Sequence, residues 1–162
     1  MDTERAYVAE NERELIRMRA LVERLSEDDL RRQANPEWTV AAALAHIAYW
    51  DQRALWLAGK IERGEPFTED DAEPDSPDWL NDTMRPFLHA IEPRAAAILA
   101  VRIAEETDAH VAALAPESVW PTNDASLLNA FRSQHRAEHL DELEAVLGGS
   151  TADPTSTADP TT

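Results

Sequence analysis

In the stretch "SQHRAEHLDEL", Ser133 to Leu143, two histidines stand four residues apart, His135 and His139. On a helix this spacing separates two side chains by only about 40° around the axis, so both imidazoles project side by side. Neutral imidazole is a common ligand of divalent metals, and the pair offers two donors to one ion. The helix carrying them is expected from about Ala125 to Leu147. On a 3.6-residue wheel, Leu128, Phe131 and Val146 all fall within about 40° of His135. The pair is thus predicted to lie in the core-facing stripe, where buried imidazoles must satisfy their ring nitrogens and resist charging. A shared metal answers both needs. The alternative is a pair of packed side chains, each with a local hydrogen-bond partner.

A third donor is available in "AALAHIAYW". His46 stands two turns into another expected helix, at the edge of its apolar arc. Three histidines leave a coordination position open, as in catalytic zinc sites. There a cation lowers the pKa of water toward ~7 or takes up a thiolate. Imidazoles suit several first-row ions, so the residues do not choose among metals. Because protonated imidazole cannot ligate, metal affinity is expected to fall below about pH 6.

The neighbours of the pair carry further readings. Glu142 lies within about 20° of His135 on the wheel, facing inward, where it could accept a hydrogen bond from a ligand's free nitrogen. Glu138, about 60° from His135, completes an H-x-x-E-H pattern resembling the inverted zinc-protease motif, but that class belongs to larger chains with other accessory ligands. Either glutamate could instead be a solvated surface carboxylate. A ferritin-like di-iron site needs Glu-x-x-His, which occurs nowhere in the chain. His89 and His110 lack a matching partner and are expected at the surface or in packing. Arg132 and Arg136 flank His135, either to meet an anionic substrate or to solvate the helix. Trp50, one turn after His46, could wall a pocket, while Trp38 and Trp56 read as core and rim packing.

The elements that must position these residues are all helical. Thr3 to Leu25 places Tyr7, Leu15, Met18, Leu21, Val22 and Leu25 at helical spacing. Ser26, with Asp29 three residues on, starts a further helical turn, and "NPEW" breaks the chain at Pro36. Thr39 caps a second main helix that runs to about Arg63 and ends at Gly64. The acidic, proline-containing stretch "EPFTEDDAEPDSPD" reads as a long surface loop. Ser76 as cap and Pro77 at the first helical position open a shorter helix, in which Pro86 is poorly placed for a straight continuation. Pro93 opens the third main helix, which ends before Pro116, and Gly148 and Gly149 stop the fourth. No segment alternates apolar and polar residues. The expectation is an all-α, up-and-down four-helix bundle with an extra short helix between the second and third. The bundle should occupy residues 1–147. The tail 148–162, with Thr-Ala-Asp-Pro repeated, should be disordered.

Composition removes several classes of function. At 162 residues the chain suits one domain with a real core. Its net charge of −17 opposes binding to nucleic acid or to an anionic membrane surface, so neither is an expected partner. Without cysteine there can be no disulfide, no zinc–cysteine site and no protein thiol nucleophile. Any thiol chemistry must therefore use a small-molecule thiol. The N-terminus is charged from its second residue, unlike a signal peptide. The longest apolar run, "VAAALAHIAYW", is too short to span a bilayer. A cytoplasmic protein is expected.

Together, "WTVAAALAHIAYWDQRAL" and the distant "HRAEHLDELEAVL" resemble the DinB-like superfamily of bacterial metal-binding four-helix bundles. That group includes the N-terminal domains of thiol-dependent maleylpyruvate isomerases and the bacillithiol transferases. The resemblance runs from about Arg13 to Leu147 and takes in "LSEDDLRRQANPEWTV". It implies that His46, His135 and His139 occupy the places of the family's metal ligands, with zinc or nickel the typical metal. It implies transfer of a low-molecular-weight thiol to an electrophilic small-molecule substrate, or metal-assisted hydrolysis, and a chain that pairs as a homodimer. The competing expectation is a non-catalytic bundle that binds or sequesters a small molecule, its metal structural or absent.

Overall fold

Capping chemistry sets most of the helix starts. The Ser26 hydroxyl accepts the Asp29 backbone N–H while the Asp29 carboxylate accepts the Ser26 N–H, a reciprocal cap on a five-residue turn. Thr39 Oγ1 accepts the Ala42 N–H at 3.2 Å. Glu92 accepts the N–H groups of Arg94 and Ala95, ahead of a helix whose first residue is Pro93. The computed structural model describes residues 5–73 and 76–148. Its helices are α1 (Ala6–Arg24), α2 (Glu27–Arg31), α3 (Val40–Glu62), α4 (Asp78–His89), α5 (Pro93–Ala113) and α6 (Arg132–Gly148). Short 3₁₀ turns lie at Glu69–Asp71 and Pro116–Ser118. Gly64, at φ 66°, takes the left-handed conformation that ends α3. Among the described residues the only β pairings are two isolated bridges, Gln33 with Thr39 and Trp120 with Asn129. The architecture is all-α. Apart from Gly148, the last residue of α6, the expected tail lies outside the described residues.

The bundle is formed by α1, α3, α5 and α6, with α4 as the extra short helix between α3 and α5. The most extensive contact joins α3 to α5, while α1 lies against both α5 and α6. The first half of α3 is buried continuously from Val40 to Ala48. It shares one apolar cluster with Ala96, Ala97, Ala100 and Ala104 of α5, with Met18 and Leu21 of α1, and with Leu140 and Leu143 of α6. Alanine on both helices lets α3 and α5 approach closely. A second cluster around Tyr7, Leu57, Val111 and Leu128 fills the other end.

Two helix starts differ from the sequence expectation. In α4 the cap position is taken by Pro77 and the first helical residue is Asp78, one residue later than predicted. That helix also runs unbroken through Pro86, which is exposed, so the backbone carbonyl deprived of its partner is open to water. The larger correction is α6, which begins at Arg132 and not at Ala125. Side chains of the preceding segment take up its backbone N–H groups locally. Asn123 Oδ1 accepts from Ala125, Ser126 Oγ from Leu128, and Asn129 Oδ1 from Phe131. Such short side-chain loops compete with helix. The Trp120 N–H bonds to Leu128 O and the Ala130 N–H to Trp120 O, which holds the segment in place.

Asn11, buried on α1, fastens the start of α6. Its Nδ2 donates to Ala130 O and its Oδ1 accepts the Ser133 N–H, both at 2.8 Å. Substituting Asn11→Leu leaves both backbone groups buried without partners. The expected cost is about 2–4 kcal/mol, counting roughly 1–2 for each lost bond, read as a lower urea midpoint at unchanged slope. A midpoint like that of the wild type would show that the clasp contributes nothing.

Candidate metal centre

His46 lies seven residues after the Thr39 cap, on the continuously buried part of α3, and is only 5% exposed. His135 and His139 sit one turn apart near the start of α6 and are half-buried. Because α6 starts late, Leu128 and Phe131 are not on it. Its buried stripe is Ser133, Arg136, Leu140 and Leu143. The histidine pair therefore occupies the flank of that stripe, turned toward α3 and a cavity, and not its centre as the wheel predicted.

The three rings converge. Ring centroids are 5.2 Å apart for His46 and His135, 4.8 Å for His46 and His139, and 4.7 Å for His135 and His139. One nitrogen from each lies within 4.8 Å of the others, a set able to hold a metal ion. His135 Nε2 and His46 Nε2 are 3.3 Å apart. Two nitrogens bound to a tetrahedral ion at ~2.0–2.1 Å would stand ~3.3–3.4 Å from each other. The pair already has ligand spacing. Trp38, at 5.3 Å between centroids, and Trp50, at 6.3 Å, bracket the His46 ring.

Burial keeps these imidazoles neutral. Desolvation, with the nearby His139 adding to it, holds His46 at about 4. Desolvation followed by the positive field of His139, Arg132, His46 and Arg136 holds His135 at about 2. His139 is also lowered by burial, against the opposing pull of Glu138 and Glu142. Burial thus favours the neutral, ligating form of all three rings.

The two glutamates divide. Glu142 faces His139 rather than His135, with Oε2 3.9 Å from His139 Nδ1, and its Oε1 accepts Asn35 Nδ2 at 2.8 Å. Glu138 lines the cavity. The Nδ1 atoms of His46 and His135 are buried without a hydrogen-bond partner. Neither has the carboxylate or carbonyl that usually orients a ligating histidine. Asn35 also accepts the N–H groups of Glu37 and Trp38, so the "NPEW" turn is tied to α6 and places Trp38 beside His46.

A family model described as the DinB superfamily matches residues 10–154. The chain belongs to the DinB superfamily. No curated protein and no solved structure matches it significantly. No helix of this DinB bundle, among the described residues, is long and apolar enough to cross a membrane.

The DinB site opens on a cavity of about 660 Å³, with the three histidines on one wall and Trp50, Trp120, Asn81, Ser126, Asn129 and Arg132 among the others. Trp50 does wall it. Trp38 is partly buried against the core, and Trp56 is half exposed under the Lys60 ammonium. His89 stacks on Trp38 and His110 pairs with Glu62, so neither joins the trio.

Arg136 overturns its surface reading: it is completely buried. Its Nε donates to Asp51 Oδ2 at 2.8 Å, and its two Nη atoms form a fork on Asp108 at 2.8 and 2.9 Å. Arg132 Nε donates to the other Asp51 oxygen at 3.0 Å. Sequence reasoning passed over Asp51, yet a signal existed. It is the single acid on the stripe Ile47, Asp51, Ala54, Ala58, and an acid on an apolar stripe requires a partner.

Proposed function

We propose that this protein is a metal-dependent enzyme in which His46, His135 and His139 hold a divalent cation, and that it transfers a low-molecular-weight thiol to an electrophilic small molecule. The observation that carries this reading is the convergence of three neutral imidazoles on one wall of a cavity large enough for a substrate. A cation there supplies a Lewis acid that favours the deprotonated form of a thiol or of water. The chain's own residues do the remainder. Trp38 and Trp50 fix the orientation of His46, and Asn35 steadies Glu142 next to His139. Glu138, on the cavity wall, is placed to accept the proton released by the incoming nucleophile. The absence of cysteine fits, because the thiol arrives with the substrate.

Metal-assisted hydrolysis is the second reading, favoured by the same Glu138, which could serve an attacking water equally well. Zinc or nickel suits the all-nitrogen ligand set. The test begins with elemental analysis of protein purified without chelator. The wild type should retain about one equivalent of metal, in line with a single three-ligand site, and the His46→Ala, His135→Ala double variant should retain almost none. Equal metal in both would end the three-histidine proposal. With metal present, consumption of a small thiol in the presence of test electrophiles identifies the transferase. Release of product without a thiol identifies the hydrolase, and ligand binding without turnover a sequestering protein.

A further inference from the structure

We infer that the cavity beside the three histidines takes small carboxylic acids, whose carboxylate is bound by Arg132 while the rest of the molecule faces the histidine wall. The first ground is the way Arg132 is held. Its side chain is 12% exposed, and its Nε edge is fixed on Asp51, itself wholly buried. Asp51 is in turn held by Arg136 on its second oxygen, and its backbone carbonyl accepts Thr107 Oγ1 at 3.1 Å. Arg132 is therefore a guanidinium with one edge clamped from behind, and it is part of the cavity wall. A pre-oriented guanidinium is the side chain best matched to a carboxylate, which it can meet with two parallel N–H donors.

The second ground is the placement of charge. Arg132, Arg136, Asp51 and Asp108 sum to zero, but they are not mixed evenly. Asp51 is interior, and Asp108 lies against a separate cleft beside Tyr7 and Asn11. Arg132 is the member that reaches the cavity, so the cluster presents its positive end there. The other charges on the wall are accounted for. Arg53 is engaged with Glu73 at 2.9 Å and with Asp71 O at 2.6 Å. Glu138 is the carboxylate that remains on the wall, next in sequence to His139. Trp50 and Trp120 supply apolar walls for the body of the acid, and Ser126 and Asn129 supply polar ones.

The inference rests on the metal-centre reading for where the reacting end points, but not for the carboxylate contact. The experiment separates the two. Binding of phenylacetate, phenylacetamide, hexanoate and hexanamide is measured by calorimetry on the full chain, once loaded with zinc and once in chelator. Each acid should bind at least about tenfold tighter than its amide in both conditions, as befits a charged hydrogen-bonded contact. Arg132→Gln should remove that preference, Arg132→Lys should keep part of it, and Arg53→Gln should alter it far less. Circular dichroism melting confirms that the variants are folded. A preference that survives in Arg132→Gln but vanishes in chelator would place the carboxylate on the metal and overturn the inference. Equal loss in Arg53→Gln would assign the effect to net charge and overturn it too, as would failure of every acid to bind. Loss of metal binding with the preference intact would refute the metal centre alone.

Discussion

Replacing Arg136 by methionine is expected to lower the free energy of unfolding by about 3–5 kcal/mol, the usual result of removing one partner from a buried ion pair. Asp51 and Asp108 would both stay in the interior facing an apolar side chain. Burial already raises the Asp108 pKa, and the Arg136 guanidinium is the main force opposing that rise. Without it Asp108 should take up a proton at higher pH, so the variant should recover some stability in mildly acid solution relative to wild type. Urea denaturation at two pH values reads both effects. The damage should reach the histidines as well. Arg136 follows His135 directly and ties α6 to α3 through Asp51 and to α5 through Asp108 and the Ala104 carbonyl. It thereby fixes the height at which His135 meets His46. Metal affinity should fall in Arg136→Met although no ligand has been touched. A variant as stable as wild type, with metal affinity intact, would show that the network positions nothing.

The metal-free protein should lose stability as pH falls below 6.5. In the unfolded chain His46 and His135 titrate near the ordinary imidazole value, whereas the folded values are about 4 and about 2. Between those limits the unfolded state binds protons that the folded state refuses, so stability rises with pH there and levels off above 6.5. At pH 5 the penalty is about 2 kcal/mol for each of the two histidines. Unfolding free energies measured in chelator at pH 7.5 and pH 5 give the slope directly. The double variant without His46 and His135 should be much flatter over the same interval. An equally steep decline in that variant would assign the effect to other groups.

What could be read in advance follows the range of the interactions involved. The histidine trio was legible because His135 and His139 are neighbours on one helix and His46 stands on a strongly patterned apolar one. The helix count followed from local signals, the caps at Ser26 and Thr39, each closing within three residues, and Pro93 at the first position of α5. Arg136 was not legible. Among the acids of α6 and with Arg132 one turn before it, it looks like one more solvated charge, and its partners lie 85 and 28 residues away. The start of α6 failed for the same reason. Asn123, Ser126 and Asn129 are plausible caps or loop formers, and the deciding contact comes from Asn11, 122 residues from Ser133. The wheel drawn from Ala125 then put Leu128 and Phe131 on a helix that does not include them, and so set the histidines one strip too deep. Glu142, expected near a free nitrogen of one of the ligands, stands 3.9 Å from Nδ1 of His139.

The segment between α5 and α6 divides the labour of the cavity in a way that bears on how such a protein could diversify. Trp120, Ser126 and Asn129 all come from it, while the histidines, the bracketing tryptophans and the ion network belong to the helices or to the turn before α3. At its far end the segment is secured by Asn11, a contact made through the backbone of Ala130 and Ser133 and so indifferent to the side chains in between. Trp120, half-exposed and bonded to the segment through its backbone, can therefore be exchanged without disturbing the reacting centre or the charged pairs beneath it, whereas Ser126 and Asn129 also hold backbone N–H groups of the segment itself. A lineage could change what it accepts by rewriting the exposed positions of this loop while inheriting its chemistry intact.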